Sequence, residues 1–276
     1  MIVANNKVVH QIKSSQSLLS TLMRGGLSMM GTSHPMQPEK PLILYEFEAC
    51  PFCRRVREAM THLNLDYESR PSPKQGQIYR NELQAKLAEM KIDKIQVPFL
   101  IDQNTGESLP ESQDIIDYLF KHYSKQGRTP KLFQPNRLQK GGVGIFNTGA
   151  SLVSMMRGVK AIHPKKNEAR GRPEQLIELY GFEASPFCRL VRETLCQLEI
   201  SYINHYVARE QIQDIGTSKT HLSIGKYKPV KGGKRERIMD EVMNGKIQVP
   251  YLIDPNTGTK IFESKDIIEY LNKTYG

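Results

Sequence analysis

Apolar positions in the first part of the chain follow two spacings, which predict strands alternating with helices. Residues 42–47 and 97–101 are compact apolar runs of the kind expected in buried central strands. Between them, Val56, Met60 and Leu63 have the spacing of one helix face. The predicted order is strand 42–47, helix 51–64, strand 66–70, helix 77–91, strand 97–101, strand 107–109 and helix 112–123. A turn at 102–106 joins the last two strands as a hairpin.

The second part of the chain repeats the first. The matching stretches are 180–188 with 45–53, at an offset of 135 residues, and 247–258 with 95–106 and 263–271 with 111–119, both at an offset of 152 residues. The additional residues lie around 216–233, and a Lys-rich stretch covers 226–237. Because the motifs keep their order and the insertion falls between elements, the pattern indicates duplication of a whole domain.

The repeat predicts four segments. They are an N-terminal segment (1–40), a first domain (41–123), a basic connector (124–175) and a second domain (176–276). The acid-poor N-terminal segment is similar in composition to an organellar transit peptide, but its stretch 17–25 recurs at 151–158, where a cleavable signal has no reason to lie. We predict that both stretches are short amphipathic helices packed onto the domains. The alternatives are a membrane-surface role, or a transit role for the N-terminal segment that would give an organellar location.

Charge and cysteine content limit the partners that the chain can have. The net charge is +10, yet residues 124–175 carry 11 Lys and Arg against 2 Asp and Glu, so the two domains are close to neutral. We therefore expect a solvated connector and no nucleic-acid partner. No run of 18 apolar residues predicts a transmembrane segment. Four cysteines are too few for a disulfide scaffold, which favours a reducing, cytoplasmic location.

Cys50 and Cys53 are the residues with the clearest chemistry. They form a Cys-Pro-Phe-Cys motif that follows a predicted strand, and Pro51 suits the first turn of a helix. Free amides and the helix dipole at that helix start favour a thiolate on Cys50, with Cys53 one turn deeper as its partner. A structural pair is the alternative. We predict no metal, because no second cysteine pair completes a tetrahedral zinc site.

Three motifs together resemble the glutaredoxins and the N-terminal domains of glutathione S-transferases. They are the Cys/Ser-Pro-Phe-Cys helix start, the Val-Pro before a strand, and the Glu-Ser that opens the last helix; each occurs in both repeats. The resemblance covers both domains. It implies an α/β fold of two tandem thioredoxin-like domains, each a four-stranded mixed sheet flanked by helices.

The same resemblance implies a glutathione site in each repeat. In this family Pro98 and Pro250 are cis, and glutathione lies along the backbone of Val97 with its cysteine near Cys50. Its γ-glutamyl carboxylate meets Ser112 and the helix N-terminus, while Glu111 pairs with its amino group. The corresponding set in the second repeat is Ser185, Val249, Pro250, Glu263 and Ser264.

The second repeat departs from this pattern. Ser185 stands where the first repeat has Cys50, so thiol–disulfide exchange at that position is excluded, although a serine hydroxyl can hydrogen-bond a glutathione thiolate. Cys188 takes the deeper position, where a thiol is usually buried and inert, and Cys196 falls on the following helix. Full transferases continue into an all-helical domain that builds the electrophile pocket. We expect no such domain here, since the connector is too short and too polar to supply one and the second repeat stops at Gly276, and we therefore do not expect conjugation of bulky electrophiles.

The leading hypothesis is a glutathione-linked thiol–disulfide oxidoreductase with one active and one degenerate site. Cys50 would attack a disulfide or glutathionylated substrate, and Cys53 or a second glutathione would resolve the product. Arg54 and Arg55 are candidates for holding the thiolate. The alternatives are a transferase that activates glutathione with Ser185 or Cys50, a non-enzymatic glutathione- or peptide-binding module, and an iron–sulfur site built from Cys50 and glutathione. The oligomeric state is not predicted.

Overall fold

The computed structural model describes residues 29–134, 161–165, 171–217, 220–221 and 227–276. The two predicted amphipathic helices, at 17–25 and 151–158, lie outside the described residues, as does most of the basic connector. No helix in the described part of the chain is long and apolar enough to cross a membrane.

The first repeat contains every predicted element, and each end lies within two residues of its predicted place. The elements are β1 (Leu42–Glu46), α1 (Pro51–Leu63), β2 (Tyr67–Pro71), α2 (Tyr79–Glu89), β3 (Phe99–Asp102), β4 (Glu107–Leu109) and α3 (Ser112–Tyr123). Agreement is close because strand runs, the proline at the start of α1 and the hairpin turn are all local signals.

The second repeat has the same order with additional short elements in its insertion. The elements are β5 (Ile177–Gly181), α4 (Pro186–Gln197), β6 (Tyr202–Tyr206), β7 (Gly216–Thr217), β8 (Thr220–His221), α5 (Lys234–Arg237), β9 (Tyr251–Asp254), β10 (Thr259–Phe262) and α6 (Ser264–Tyr275). A five-residue π-helical turn, Ile238–Val242, continues α5.

Each repeat forms a four-stranded mixed sheet. In the first, β1 pairs in parallel with β2 and antiparallel with β3, which pairs antiparallel with β4. The helix α1 makes the crossover that a parallel pair requires. In the second repeat, β5 pairs with β6 and β9, and β9 pairs with β10, in the same arrangement. The chain is therefore a tandem thioredoxin-like α/β protein.

The two sheets join into one sheet of eight strands. Strand β2 pairs antiparallel with β6, with Tyr67 opposite Asn204 and Ser69 opposite Tyr202. The strand order is β10-β9-β5-β6-β2-β1-β3-β4. Because β2 and β6 are equivalent strands, the two repeats are related by an approximate two-fold axis at this joint.

Alternate side chains of the strands serve the two faces of the sheet. In the first repeat, Leu42 and Leu44 pack against α1 and α3, whereas Ile43 and Tyr45 pack against Leu83 of α2. The second repeat uses α4 and α6 on one face, and the residues that continue α5 on the other. The helix α1 follows β1 after a short loop, so its N-terminus lies near the end of that strand.

Two short segments also bridge the joint. Each lies between the end of a helix in one repeat and the loop after a strand in the other. In segment 29–34, the N–H of Thr32 donates to His62 O at 3.0 Å, and Met29 O accepts from Arg209 N at 3.2 Å. In segment 161–165, the N–H of Lys165 donates to Gln197 O at 2.8 Å, and Ile162 O accepts from Lys74 N at 2.6 Å. The equivalent partners confirm the approximate two-fold relation.

Two residues in the described part of the Lys-rich stretch also lie at the joint between the repeats. Lys234 and Arg235 are buried, so the lysine-rich composition does not produce a solvated surface at these two residues. The ammonium group of Lys234 donates to Asn64 O at 2.9 Å and pairs with the carboxylate of Asp66. This part of the insertion therefore connects the second repeat to the first.

Candidate active site around Cys50

Cys50 is the N-cap residue of α1. Its backbone is extended, with φ −73° and ψ 122°, and its N–H donates to Phe47 O in the turn that leaves β1. Pro51 then occupies the first turn of the helix, where it sacrifices no hydrogen bond. The N–H of Cys53 donates to the Cys50 Sγ at 3.4 Å. The sulfur thus takes the place that a serine or aspartate oxygen has in an ordinary N-cap.

The two thiols of the motif have opposite pKa shifts. A hydrogen bond from Cys53 lowers the pKa of Cys50, and the backbone amides of Cys53 and Phe52 and the charge of Arg57 act in the same direction against burial. Burial, followed by the hydrogen bond to Cys50, raises the pKa of Cys53 well above its usual value. Cys50 is therefore the first of the two thiols to lose its proton.

The loop before β3 forms the opposite wall of the site. The peptide bonds Val97–Pro98 and Val249–Pro250 are both cis, which confirms the expectation from the sequence. The Cys50 Sγ lies 3.8 Å from the carbonyl oxygen of Val97. Cys50 is only 4% exposed, in a cluster that includes Cys196 of the second repeat. Both repeats therefore contribute atoms around this thiol.

Glu111 and Ser112 stand at the start of α3, as predicted. Glu111 is the exposed N-cap residue, without a side-chain capping bond, and Ser112 is buried as the first residue of the helix. The amides of this first turn are therefore available to an anion. In the structure, Cys50 contacts both Cys53 and Val97. Glu111 and Ser112 belong to a separate segment, the start of α3.

The second repeat copies this geometry with an oxygen in place of the sulfur. Ser185 is the N-cap of α4, and its Oγ accepts from the N–H of Cys188 at 3.3 Å. Cys188 is fully buried, and burial raises its pKa. Ser264 begins α6, but Glu263 has φ +67° and accepts a hydrogen bond from Gln248 at 2.6 Å. The glutamate is thus held differently from Glu111.

Buried charges under Cys50 were missed from the sequence. Arg57 is fully buried and donates to Glu46 at 2.5 Å and, across the joint, to Glu183 at 2.9 Å. Arg192 pairs with Glu183 at 2.8 Å and, across the joint, with Glu48 at 3.0 Å. The available signal was that Phe-Glu-Ala and Val-Arg-Glu occur in both repeats, so that the charges repeat along with the apolar residues.

An arginine outside the predicted candidates also acts on Cys50. Arg57 contributes to the lowered pKa of Cys50. Arg54 is buried and pairs with Glu58 at 3.1 Å, and Arg55 donates to Gln113 at 2.6 Å. Helical periodicity explains the position of Arg57, because it lies one turn after Cys53 on the face of α1 that packs against the sheet.

The family described as "Glutathione S-transferase, N-terminal domain" matches residues 44–129 and again residues 179–276, about two thirds of the chain. The chain belongs to this family. No curated protein and no solved structure matched it.

Membership of the glutathione S-transferase N-terminal family agrees with the fold described above. It indicates a glutathione-related function for both thioredoxin-like units. The two matched segments contain the Cys50 and the Ser185 helix starts respectively. Family membership does not distinguish exchange of disulfides from conjugation, and the chemistry of the two N-cap residues must do so.

Proposed function

We propose that the first repeat is a glutathione-dependent thiol–disulfide oxidoreductase. The observation that carries the proposal is the N-cap position of Cys50, whose Sγ accepts from the N–H of Cys53 at 3.4 Å, and it is accompanied by a lowered pKa of Cys50 and a raised pKa of Cys53. Disulfide exchange needs an attacking thiolate and a partner thiol that stays protonated until its turn. A zinc-binding or purely structural pair has no need for such a difference.

The reaction proceeds in two exchange steps. The Cys50 thiolate attacks the glutathione sulfur of a glutathionylated protein, the disulfide bond breaks, and the protein thiolate leaves and takes a proton from water. A glutathione thiolate then attacks the glutathione sulfur on Cys50, which releases oxidised glutathione and restores the Cys50 thiolate. For a protein disulfide, the Cys50 thiolate attacks one sulfur and the other leaves as a thiolate. Cys53 then loses its proton and attacks the Cys50 sulfur, which releases the substrate as a dithiol and leaves a Cys50–Cys53 disulfide. Two glutathiones reduce that disulfide and are released as oxidised glutathione.

Glutathione is held beside Cys50 in this proposal. Val97, before the cis Pro98, would pair with the peptide backbone, and the first turn of α3 at Ser112 would bind the γ-glutamyl carboxylate. Glu111 would bind the α-amino group. The exposed position of Glu111 and the lack of a side-chain capping bond from Glu111 at the start of α3 support this arrangement.

A set of cysteine variants tests the proposal. We expect Cys50→Ser to abolish glutathione-dependent disulfide reduction, because a serine hydroxyl does not exchange with disulfides. Cys53→Ser should keep reduction of glutathionylated substrate and accumulate a glutathione adduct on Cys50 that mass spectrometry detects. Cys188→Ser is the matched control, since it removes the equivalent deep thiol of the second repeat. Glutathione binding without turnover in the unaltered protein would reject the oxidoreductase.

The second candidate is a transferase that activates glutathione with a hydroxyl. It is favoured by Ser185, whose Oγ has the same N-cap contact as the Cys50 sulfur. Bound glutathione would then lie along Val249 and Pro250, with its γ-glutamyl end at Glu263 and Ser264. Conjugation of a small electrophile that is lost in Ser185→Ala, but retained in Cys50→Ser, would establish it. Binding in the second repeat without either activity would leave a glutathione-binding module.

A further inference from the structure

The loop that leads into Cys50 is held by an arginine of the second repeat. Glu48 lies two residues before Cys50, and its buried carboxylate accepts from Arg192 Nε at 3.0 Å and Nη2 at 3.1 Å. Two parallel bonds from a guanidinium fix both the position and the orientation of a carboxylate. Arg192 lies on α4, and its side chain is 2% exposed.

The backbone of the same loop is held as well. The carbonyl oxygen of Glu48 accepts from Arg57 Nη2 at 3.3 Å, and Arg57 in turn bonds to Glu183 of the second repeat. Arg189 Nε also lies 3.4 Å from the Glu48 carboxylate. The loop thus contacts the second repeat through both its side chain and, through Arg57, its main chain.

We propose that Arg192 is a positioning residue for Cys50: by holding Glu48, it fixes the loop from which Cys50 enters α1. The second repeat, which lacks the nucleophile, is thereby part of the site of the first. The proposal rests on Cys50 being the reactive thiol of the function proposed above. It assigns Arg192 no contact with substrate.

The contact related to this one by the approximate two-fold axis shows why the effect concerns only the site of the first repeat. Glu183 precedes Ser185 as Glu48 precedes Cys50, and Arg57 holds it as Arg192 holds Glu48. Only the first of these loops leads to a thiol. Among the residues that the structure describes, the charged or titratable groups that act on or cluster with Cys50 are Cys53 and Arg57 on α1 and Cys196 on α4, and Glu48 lies two residues before it in the loop. Movement of the loop would alter the distance of Cys50 from the donors on α1.

The test measures the reactivity of Cys50 in the full-length protein as a function of pH. Iodoacetamide labels the protein, and peptide mass spectrometry follows the Cys50 peptide alone. In Arg192→Met we expect the midpoint of alkylation to rise by about one pH unit, because the thiolate loses part of its stabilisation. In a disulfide assay, kcat should fall about tenfold with little change in KM for substrate. Arg192→Lys, which keeps the charge but loses the fork, should restore only part of both.

Arg235→Met is the matched control. Arg235 is another buried arginine of the second repeat, and it donates to Val207 O at 3.2 Å, within its own repeat. An unshifted Arg192→Met midpoint, or an equal shift in Arg235→Met, would overturn the proposal. If Arg192→Met does not fold, Glu48→Gln/Arg192→Met removes both charges, and an unshifted midpoint there also overturns it. The alkylation midpoint needs no turnover, so it separates failure of this inference from failure of the oxidoreductase.

Discussion

At the scale of single residues, the last position of β1 and the equivalent position of β5 distinguish the two repeats. The first repeat has Glu46, whose buried carboxylate accepts from Arg57, Tyr67 and Ser69. The second repeat has Gly181, and a Cβ there would lie 2.7 Å from the Cys188 Sγ. The second repeat thus places its deep thiol against bare backbone, where the first has a carboxylate and its partners.

Replacing Gly181 by alanine should therefore be costly. We expect Gly181→Ala to lower the free energy of unfolding by about 1–3 kcal/mol, since the core must shift to admit the methyl group. Gly181→Ala/Cys188→Ala should recover part of this loss, because the second change removes the sulfur. Urea unfolding monitored by circular dichroism measures both. Gly171→Ala is the control, as its Cβ would meet nothing within 4 Å. Strictly additive effects of the two changes would contradict the steric explanation.

The same scale shows which site residues a sequence can predict. Cys50 and Ser185 were predictable because a helix start depends on a few neighbouring residues, whereas the cis Val-Pro bonds were expected from the family resemblance. The pairing of Glu48 with Arg192 spans 144 residues. It depends on how the two repeats meet, and helix spacing alone does not contain that information.

At the scale of elements, an aspartate joins the hairpin of each repeat to its last helix. Asp102 ends β3, and its carboxylate accepts from Asn104 in the turn and from Tyr118 and Tyr123 on α3. Asp254 makes the same contacts with Asn256, Tyr270 and Tyr275. These bonds explain why the Asp-x-Asn-Thr-Gly turn recurs with two tyrosines on the following helix.

Stability at acid pH should depend on these aspartates. Burial acts to raise the pKa of Asp102, but hydrogen bonds from Tyr123, Asn104 and Tyr118 outweigh it, so the pKa is lowered. A carboxyl group with a lowered pKa contributes stability above its unfolded value of about 4 and loses it as the pH falls through the folded value. We expect Asp102→Asn to cost about 1.5–3 kcal/mol at pH 7 and progressively less below pH of about 4.

Denaturant unfolding at several pH values measures this difference. Asp254→Asn should behave in the same way, because the pKa of Asp254 is also lowered, by Tyr270, Tyr275 and Asn256 acting against burial. Asp93→Asn serves as the exposed control. A constant difference between Asp102→Asn and the unaltered protein from pH 7 to pH 3 would show that the carboxylate is not responsible.

The elements also show where sequence patterns stop being informative. The first residues of α1 and α3 follow from a proline and from a Glu-Ser pair, which are local signals. The short hairpin β7–β8 and the π-helical turn at Ile238–Val242 fall in and just after the insertion, which has no counterpart in the first repeat. A pattern that occurs once gives no repeat with which to compare it.

At the scale of the whole molecule, the continuous sheet makes one folding unit from two domains. Strand β2 contains the polar residues Glu68, Ser69 and Arg70, yet it pairs with β6 at the centre of the sheet. Separating the repeats would expose both strand edges and the buried arginines and glutamates beneath them. Such charges are stable in the interior only as pairs.

We therefore expect the two repeats to unfold together. The chain has no tryptophan, so a single tryptophan can report on one repeat at a time. Phe52 and Phe187 occupy equivalent positions and are each 44% exposed, which makes Phe52→Trp and Phe187→Trp a matched pair of probes. Their urea midpoints should coincide.

Adding Arg57→Met should lower the free energy of unfolding by about 3–5 kcal/mol in both, because Glu46 and Glu183 lose a shared partner. Midpoints that separate in the unaltered background would mean that the joint does not couple the repeats, whereas a fall seen only by the Phe52→Trp probe would confine the role of Arg57 to its own domain.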